Sequence, residues 1–242
     1  MFGQNPVRPQ VLDPEGMLWV QEIFPTIQGE GPNAGISSLF IRLAGCNLKC
    51  WFCDTDFESK RSLYSVKDLY GAALVNANAP CHLIVLTGGE PFLQNITPFI
   101  ERAAKDNWTV QIETAGTLWV TGLERFLLSG VVQLVCSPKT GKVHSQIERY
   151  CKHYKYILRA SEPLASDGLP FVLTQHKFDK DNPKTQNATK LYRPDDGRTI
   201  WVQPCDEQDE YYNRQNRELC AKLVMLHDYR LSLQQHKILN LP

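Results

Sequence analysis

The chain lacks the charge imbalance of a protein that binds a polyanion. Acidic and basic residues are equal in number, 26 of each, so the formal net charge is zero. A chain without an excess of basic residues has no electrostatic footprint for wrapping DNA or RNA, nor for docking on an anionic membrane. The composition therefore favours a small-molecule ligand and excludes neither an enzyme nor a small binding module.

Long apolar runs are also missing. No stretch approaches the ~20 consecutive apolar residues that a membrane-spanning helix needs. The segment from Met1 to Met17 is rich in proline and polar residues and lacks the apolar core of a signal peptide. We therefore expect a cytoplasmic protein. In a reducing compartment, its eight cysteines indicate metal ligands or buried thiols rather than disulfides.

Three of the cysteines, Cys46, Cys50 and Cys53, stand close together in the spacing C-x3-C-x2-C. Three thiolates on one loop can hold three irons of a 4Fe–4S cube and leave the fourth iron without a protein ligand. A structural zinc site would need a fourth ligand, and the next candidates, Cys81 and His82, are remote in sequence. Because three close cysteines are an odd number on a tight loop, disulfides fit poorly. The pattern favours a cluster with one open iron over zinc or ordinary buried thiols.

Strand-like runs alternate with helical patterns along most of the chain, which implies βαβ units and a parallel sheet. We predict strands over 18–24 (as an edge strand), 38–43, 82–86, 108–112, 131–135, 154–159, 199–202 and 230–233. We predict helices over 65–77, 96–106 and 208–227, and a short one from about residue 121. Several small or polar residues directly follow strands: Cys46, Thr87, Gly89, Glu113, Ser137, Lys139 and Gln203. Such positions gather on one face of a parallel βα barrel, so we expect these residues to converge.

The segment 161–198 interrupts this alternation. It is rich in Asp, Asn, Lys, Thr and Pro, and 179–189 has almost no apolar residues. Long loops of this kind are either lids or insertions, and the polar composition favours a surface excursion. The length of 242 residues then suits one domain, 1–242, with a polar insertion at about 161–198.

The cysteine motif, with an aromatic residue inside its last gap, resembles the radical S-adenosylmethionine (SAM) superfamily. Within it, the chain resembles the 7-carboxy-7-deazaguanine synthases from about residue 20 to its C-terminus. The matching blocks are Ile27-Gln28-Gly29-Glu30-Gly31, Phe40-Ile41-Arg42-Leu43, Cys53-Asp54-Thr55, Thr87-Gly88-Gly89-Glu90-Pro91, Ile112-Glu113-Thr114, Ser137-Pro138-Lys139 and Gln235-His236-Lys237. The resemblance implies an α/β fold, the partial (βα)6-type TIM-like barrel of the superfamily.

The same resemblance implies a lyase that converts 6-carboxy-5,6,7,8-tetrahydropterin to 7-carboxy-7-deazaguanine with loss of ammonia. This is a step of queuosine biosynthesis, a tRNA modification pathway. In the family, SAM bound to the open iron is cleaved to a radical that removes the hydrogen at C6, so no acid–base catalyst is implied. The implied cofactors are a 4Fe–4S cluster, SAM and Mg²⁺, and the implied partners are the pterin, a flavodoxin-type electron donor and a second copy of the chain.

Site residues are carried over position by position. The cluster ligands are Cys46, Cys50 and Cys53, and the hydroxyl of Thr55 binds Mg²⁺, a hard cation that prefers oxygen. The implied SAM contacts are Gly88, Gly89, Glu90, Ser137, Pro138, Lys139, Gln203, Pro204, Cys205 and Asp206. The implied substrate contacts are Ile27, Gln28, Gly29, Arg42, Thr87 and Pro242, the last through its terminal carboxylate.

Each of these motifs also has a plainer interpretation. Without the resemblance, Gly88-Gly89 would be a turn, Glu90 a helix-entry residue and Arg42 half of an exposed salt bridge. We expect His236 to order the C-terminal tail rather than act as a base. The cysteines outside the motif are expected to be buried or incidental thiols: Cys81, Cys136, Cys151, Cys205 and Cys220.

Two other functions remain open at this stage. A radical SAM activase, which generates a glycyl radical on a partner protein, shares the cysteine spacing but has no evident need for Thr55 or Arg42. A non-catalytic iron–sulfur or zinc module would leave Gly88-Gly89 and the other strand-end residues without a purpose. Failure to cleave SAM would support the module.

Overall fold

The computed structural model describes residues 5–77, 80–171 and 190–242. The strands in these ranges are β1 (Leu18–Ile27), β2 (Ser37–Leu43), β3 (Ser62–Tyr64), β4 (Leu83–Gly88), β5 (Thr109–Thr114), β6 (Val132–Cys136), β7 (His153–Leu158), β8 (Thr199–Pro204) and β9 (Arg230–Leu231). The helices are α1 (Val66–Asn76), α2 (Thr97–Lys105), α3 (Glu124–Leu128), α4 (Ser145–Tyr150), α5 (Glu210–His227) and α6 (Gln235–Ile238). None of them is long and apolar enough to cross a membrane.

These strands form one sheet in the order β3-β1-β2-β4-β5-β6-β7-β8-β9. The run from β2 through β4, β5, β6 and β7 to β8 is parallel throughout. Within the described ranges the sheet stays open, with β3 and β9 as its two ends. The six parallel strands from β2 to β8, with the two-residue β9 parallel to β8 at one end, confirm the partial barrel that the resemblance implied. Because β3 pairs with β1, from Leu18 opposite Tyr64 to Val20 opposite Ser62, the predicted edge position of β1 is wrong.

Local sequence explains most of the elements. Ser65 caps α1 by accepting a hydrogen bond from the Asp68 backbone amide at 3.1 Å, as the spacing of these two residues predicted. Strand β4 carries consecutive apolar residues, and Ile84, Val85 and Leu86 are all fully buried. An uninterrupted apolar run of this kind is typical of a parallel strand that is covered on both faces.

Three short elements, β3, α4 and α6, were not predicted. Each spans six residues or fewer, which is too short for a hydrophobic period to be visible in the sequence. The ring of His144 caps α4 by accepting a hydrogen bond from the backbone amide of Gln146 at 3.2 Å. This cap depends on a ring orientation that no sequence pattern specifies.

The predicted insertion at 161–198 falls partly outside the described residues, which omit 172–189. Its two described flanks contact each other, since Arg193 donates from Nε to Asp167 Oδ2 at 2.7 Å. Tyr229 donates to the Asp167 carbonyl at 2.8 Å, and Tyr156 donates to the Tyr192 carbonyl at 2.6 Å. The second flank is therefore bonded to β7, and the first flank is bonded to the residue that precedes β9.

Candidate active site

A cavity of about 790 Å³ lies at the carboxyl ends of the parallel strands. Its wall includes Thr87 from β4, Glu113 from β5, Ser137 after β6, Ile157 from β7 and Gln203 from β8. Since the strands are parallel, their carboxyl ends meet at one edge of the sheet. The residues that the sequence places after strands therefore converge on one cavity.

Most of the candidate site residues line this cavity: Gln28, Arg42, Cys46, Cys50, Cys53, Thr55, Thr87, Gly88, Gly89, Ser137, Lys139, Gln203, Pro204, Cys205, Asp206 and Pro242. Four others, Ile27, Gly29, Glu90 and Pro138, are not among the residues that line it. Gly29, Glu90 and Pro138 are buried, and Ile27 is half-buried. The assignment of these four residues to ligand contacts therefore stays a prediction.

The three motif cysteines are free thiols on the cavity wall, with Cys46 buried and Cys50 and Cys53 half-buried. Burial raises the pKa of the Cys46 thiol to about 12. Burial also raises the pKa of Cys50, and there the positive charge of Lys139 opposes the shift. At Cys53 burial again raises the pKa, and the Lys139 charge again acts in the opposite direction.

Within the described residues, no three His, Cys, Asp or Glu side chains are placed to hold one metal ion together. The chemistry of the three cysteines suits a different group, because a four-iron cluster takes one thiolate on each of three irons. Three unpaired thiols on a cavity wall, with the ammonium of Lys139 nearby, fit the anionic cluster.

Gly88 and Gly89 are required because the backbone of the preceding strand region passes too close to them for a side chain to fit. Gly88 has φ of +130°, and a Cβ there would lie 2.1 Å from the Leu43 carbonyl oxygen. A Cβ on Gly89 would lie 1.9 Å from the Gly45 carbonyl oxygen. The same oxygen accepts a hydrogen bond from the Glu90 backbone amide at 2.9 Å. The glycine pair thus lets the end of β4 pack directly against the segment that leads into the cysteine loop.

Glu90 joins the ends of two strands rather than facing the cavity. Its fully buried carboxylate accepts hydrogen bonds from Thr114 Oγ1 at 2.7 Å, the Ala115 amide at 2.8 Å and the Phe92 amide at 3.1 Å. Burial raises the pKa of this carboxyl, although the three hydrogen bonds oppose the shift. The helix-entry alternative was therefore right about its position, since Glu90 precedes a short 3-10 helix, Pro91–Leu93.

The C-terminal segment lies across the cavity and is seated on Gly29. The Gly29 carbonyl accepts a hydrogen bond from the Gln235 amide at 3.2 Å, and a Cβ on Gly29 would lie 2.3 Å from His236 Nδ1. His236 lines the cavity, and its Nδ1 is buried without a hydrogen-bond partner in the described part of the chain. Thr26 Oγ1 donates to a carboxylate oxygen of Pro242 at 3.0 Å and holds this residue at the cavity.

A buried ion pair between Glu30 and Lys155 crosses the cavity wall. The Glu30 carboxylate also accepts from Gln203 Nε2 at 3.1 Å and from Gln234 Nε2 at 3.0 Å. Burial alone would raise the pKa of Glu30, but the Lys155 charge and hydrogen bonds outweigh it and hold the pKa below its usual value. Burial would lower the pKa of Lys155, and Glu30 overcomes this and raises it. Both groups are therefore charged at neutral pH.

Sequence reasoning missed Lys155, although one signal was available. It is the charged residue in the otherwise uncharged strand His153–Leu158, and a charge within a buried strand requires a partner. Glu113 was noted only as a strand-end residue. Its carboxylate accepts from Gln28 Nε2 at 3.1 Å, Thr87 Oγ1 at 3.2 Å and Gln111 Nε2 at 3.1 Å.

Thr55 lines the cavity and lies beside the carboxylate of Asp54. Its hydroxyl donates to Asp54 Oδ1 at 3.2 Å. Lys237 Nζ is 3.4 Å from Asp54 Oδ2 and 2.8 Å from Asp206 Oδ2. Burial would raise the pKa of Asp206, but hydrogen bonds from Lys237 and its neighbours lower it to about 2. One lysine thus links α6 to the loop carrying Thr55 and to the segment after β8.

Arg42 and Lys139 already have partners within the protein. Arg42 donates from Nε to Glu22 Oε2 at 3.2 Å, and its guanidinium carbon lies 5.6 Å from the centre of the Phe24 ring. The salt-bridge alternative for Arg42 is therefore present in the structure, even though the residue lines the cavity. Lys139 donates from Nζ to Ser137 Oγ at 2.5 Å, and burial lowers its pKa.

Comparison with known proteins adds an independent line of evidence. The family model of the Radical SAM superfamily matches residues 40–184. The 7-carboxy-7-deazaguanine synthase of Rhodospirillum rubrum is 40% identical over 250 residues, covering all of both chains. That of Rickettsia prowazekii is 37% identical, covering all of this chain and 96% of the relative. A crystal structure of QueE from Escherichia coli matches the fold with a TM-score of 0.64 at 24% identity, over 90% of this chain and 93% of that one.

These matches agree with the order of motifs along the chain. The superfamily match includes the three-cysteine loop, and radical SAM proteins use a 4Fe–4S cluster and SAM. The relatives match over the full length, so the likeness extends beyond the cysteine motif. The chain therefore belongs to the 7-carboxy-7-deazaguanine synthase family of radical SAM enzymes.

Proposed function

We propose that the protein is a lyase that converts 6-carboxy-5,6,7,8-tetrahydropterin to 7-carboxy-7-deazaguanine with loss of ammonia. The proposal rests on the full-length similarity to relatives named 7-carboxy-7-deazaguanine synthase. The same similarity favours this reaction over the activase alternative. When bound, the cluster and SAM supply the radical that begins the rearrangement. The cavity of about 790 Å³ has a suitable size for SAM and the pterin.

In this proposal the cavity wall has a SAM region and a cluster region. Cys46, Cys50 and Cys53 hold the cluster. The residues proposed to contact SAM are Gly88, Gly89, Ser137, Lys139, Gln203, Pro204, Cys205 and Asp206, which line the cavity. Glu90 and Pro138 take a supporting role, because they do not line the cavity and Glu90 bonds to the segment after β5.

The opposite part of the wall is proposed to bind the pterin. The pterin has a guanine-like edge of N–H donors, and carboxylates are strong acceptors for such donors. Glu113, held by Gln28 and Thr87, is suitably placed for that edge. We assign the substrate carboxylate to Arg42, which would exchange its half-exposed partner Glu22 for it. Ile27 and Gly29 contribute backbone only, and Pro242 contributes its terminal carboxylate.

We further propose that Mg²⁺ binds at Thr55. A hydroxyl and a neighbouring carboxylate, Asp54, are the oxygen donors that a hard cation prefers, and Mg²⁺ usually retains water or substrate oxygens as well. At this position the cation would bind the substrate carboxylate and bias the rearrangement electrostatically.

The remaining parts of the proposal follow from the family resemblance, the chain length and the composition. We propose a single domain, 1–242, that acts as a homodimer in the cytoplasm and receives its electron from a flavodoxin-type protein. We propose that its product supplies a pathway of tRNA modification. The absence of net charge supports a small-molecule substrate rather than a nucleic acid.

An anaerobic assay tests the reaction. The protein is reconstituted with iron and sulfide, supplied with dithionite, SAM, Mg²⁺ and 6-carboxytetrahydropterin, and the products are followed by mass spectrometry. We expect 7-carboxy-7-deazaguanine. Formation of 5′-deoxyadenosine without any deazapurine would reject the substrate and leave the cluster assignment standing.

Two single-cysteine variants test the cluster assignment separately. Cys50→Ala should abolish cluster reconstitution and SAM cleavage. Cys220→Ala is the matched control, because Cys220 is a buried thiol on α5 that does not line the cavity. Normal iron content in Cys50→Ala would contradict the assignment.

A further inference from the structure

Arg159 follows β7 and is only 7% exposed. Arginine is seldom buried unless each part of its guanidinium has a partner. Here the guanidinium lies between two segments that are remote in sequence, the cysteine loop and the segment after β8. No pattern in the sequence marks this residue.

On one side, the guanidinium lies over two aromatic rings of the cysteine loop. Its central carbon is 4.0 Å from the centre of the Trp51 ring and 5.5 Å from that of Phe52. These two aromatic residues fill the gap between Cys50 and Cys53. An arginine over an indole face combines cation–π attraction with planar stacking. The contact therefore holds the part of the loop between two cysteines.

On the other side, the same guanidinium holds the segment after β8. Arg159 Nη2 donates to Cys205 Sγ at 3.1 Å, and Nη1 lies 3.6 Å from Glu207 Oε2. Asn216 on α5 strengthens this side, since its Nδ2 donates to the Cys205 carbonyl at 3.0 Å. Cys205 is a buried thiol, as predicted, and its sulfur accepts a hydrogen bond from a charged group.

We propose that Arg159 is a positioning residue that fixes the cysteine loop relative to the segment 203–206, so that SAM contacts both in register. Arg159 is not among the residues that line the cavity, so it acts through Trp51 and Cys205 rather than by touching a ligand. The inference rests on the proposed function, which assigns 203–206 to SAM. Only a planar guanidinium can stack on a ring while donating in its own plane, and lysine keeps the charge without that geometry.

The test uses the reconstituted enzyme and measures SAM binding without turnover. The dissociation constant of SAM is obtained from the change in the electron paramagnetic resonance signal of the reduced cluster as SAM is added. We expect Arg159→Lys and Arg159→Gln each to raise this constant about tenfold, which is typical of a coupling network. Iron content should match that of the wild type. Hydrogen exchange should increase together in peptides covering 44–57 and 203–208.

Arg193→Lys is the matched control. Arg193 also pairs with a carboxylate, Asp167, and its guanidinium carbon also lies over an aromatic ring, 5.4 Å from the centre of Tyr156. It does not line the cavity, and its replacement should leave the SAM constant unchanged. A wild-type SAM constant and wild-type exchange in Arg159→Lys would overturn the inference.

Trp51 provides a second test in case the Arg159 variants fold poorly. Trp51→Leu removes the ring under the guanidinium and should weaken SAM binding, whereas Trp51→Phe retains a ring and should restore most of it. Equal SAM binding in both variants would also reject the role of Arg159. Failure of the proposed function is recognised separately, because the wild type would then bind SAM but form no deazapurine.

Discussion

Glu30 and Lys155 form a buried ion pair on the cavity wall although 125 residues separate them in the chain. One follows β1 and the other lies in β7, so the pair joins distant parts of the sheet. A buried ion pair of this kind is costly to break, because the remaining charge loses its partner and cannot regain water. The stability of the fold is therefore expected to depend on this ion pair.

Lys155→Met should destabilise the fold by about 3 kcal/mol, since breaking a buried pair from one side typically costs 3–5 kcal/mol. Chemical denaturation at neutral pH measures the loss. The double variant Glu30→Gln with Lys155→Met leaves no unpaired charge and should lose less than the single variant. An equal or larger loss in the double variant would show that the pair does not act as a unit.

Acid stability should depend on Lys237. The folded-state pKa of Asp206, about 2, lies below its unfolded value of about 3.9, so the ionised carboxylate stabilises the fold. This contribution is present above about pH 4 and is lost as the pH falls towards about 2. Lys237→Gln should therefore reduce the fall in melting temperature over that range. The control is Lys222→Gln, an exposed residue on α5, whose acid profile should match that of the wild type.

Gly29→Ala should displace the C-terminal segment, because the added Cβ would lie 2.3 Å from His236 Nδ1. We expect faster hydrogen exchange over 234–242 and a loss of pterin turnover, with the cluster retained. The control is Gly71→Ala, where a Cβ has nothing within 4 Å and lies inside α1. That helical substitution should stabilise the protein by about 0.5–1 kcal/mol. Unchanged exchange in Gly29→Ala would mean that the tail is not seated on Gly29.

Thr55→Ala should lose most of the Mg²⁺ dependence of turnover while keeping the cluster, because it removes the proposed oxygen ligand without altering a thiol. Turnover measured against Mg²⁺ concentration, together with iron content, checks this. Thr55→Ser retains the hydroxyl and should recover much of the response. If Thr55→Ala responds to Mg²⁺ as the wild type does, Thr55 does not belong to the cation site.

The sequence by itself determined the alternation of strands and helices and the position of the cysteine loop. Both are local properties: apolar runs such as Ile84–Leu86 form buried strands, and Ser65 with Asp68 begins a helix. The alternation of strands with helices in turn predicted a parallel sheet. Because the carboxyl ends of parallel strands meet on one face, the convergence of the motifs on one cavity was also predictable.

Only the tertiary structure decided which groups contact each other across the sheet. The partners of Lys155 and Arg159 depend on strand order and register, for example on Ile157 lying opposite Gln203. Gly89 gives a similar lesson, since its lack of a side chain serves the close approach of Gly45. A local pattern specifies whether a segment forms a strand or a helix. A side-chain contact between remote segments depends on how those segments pack.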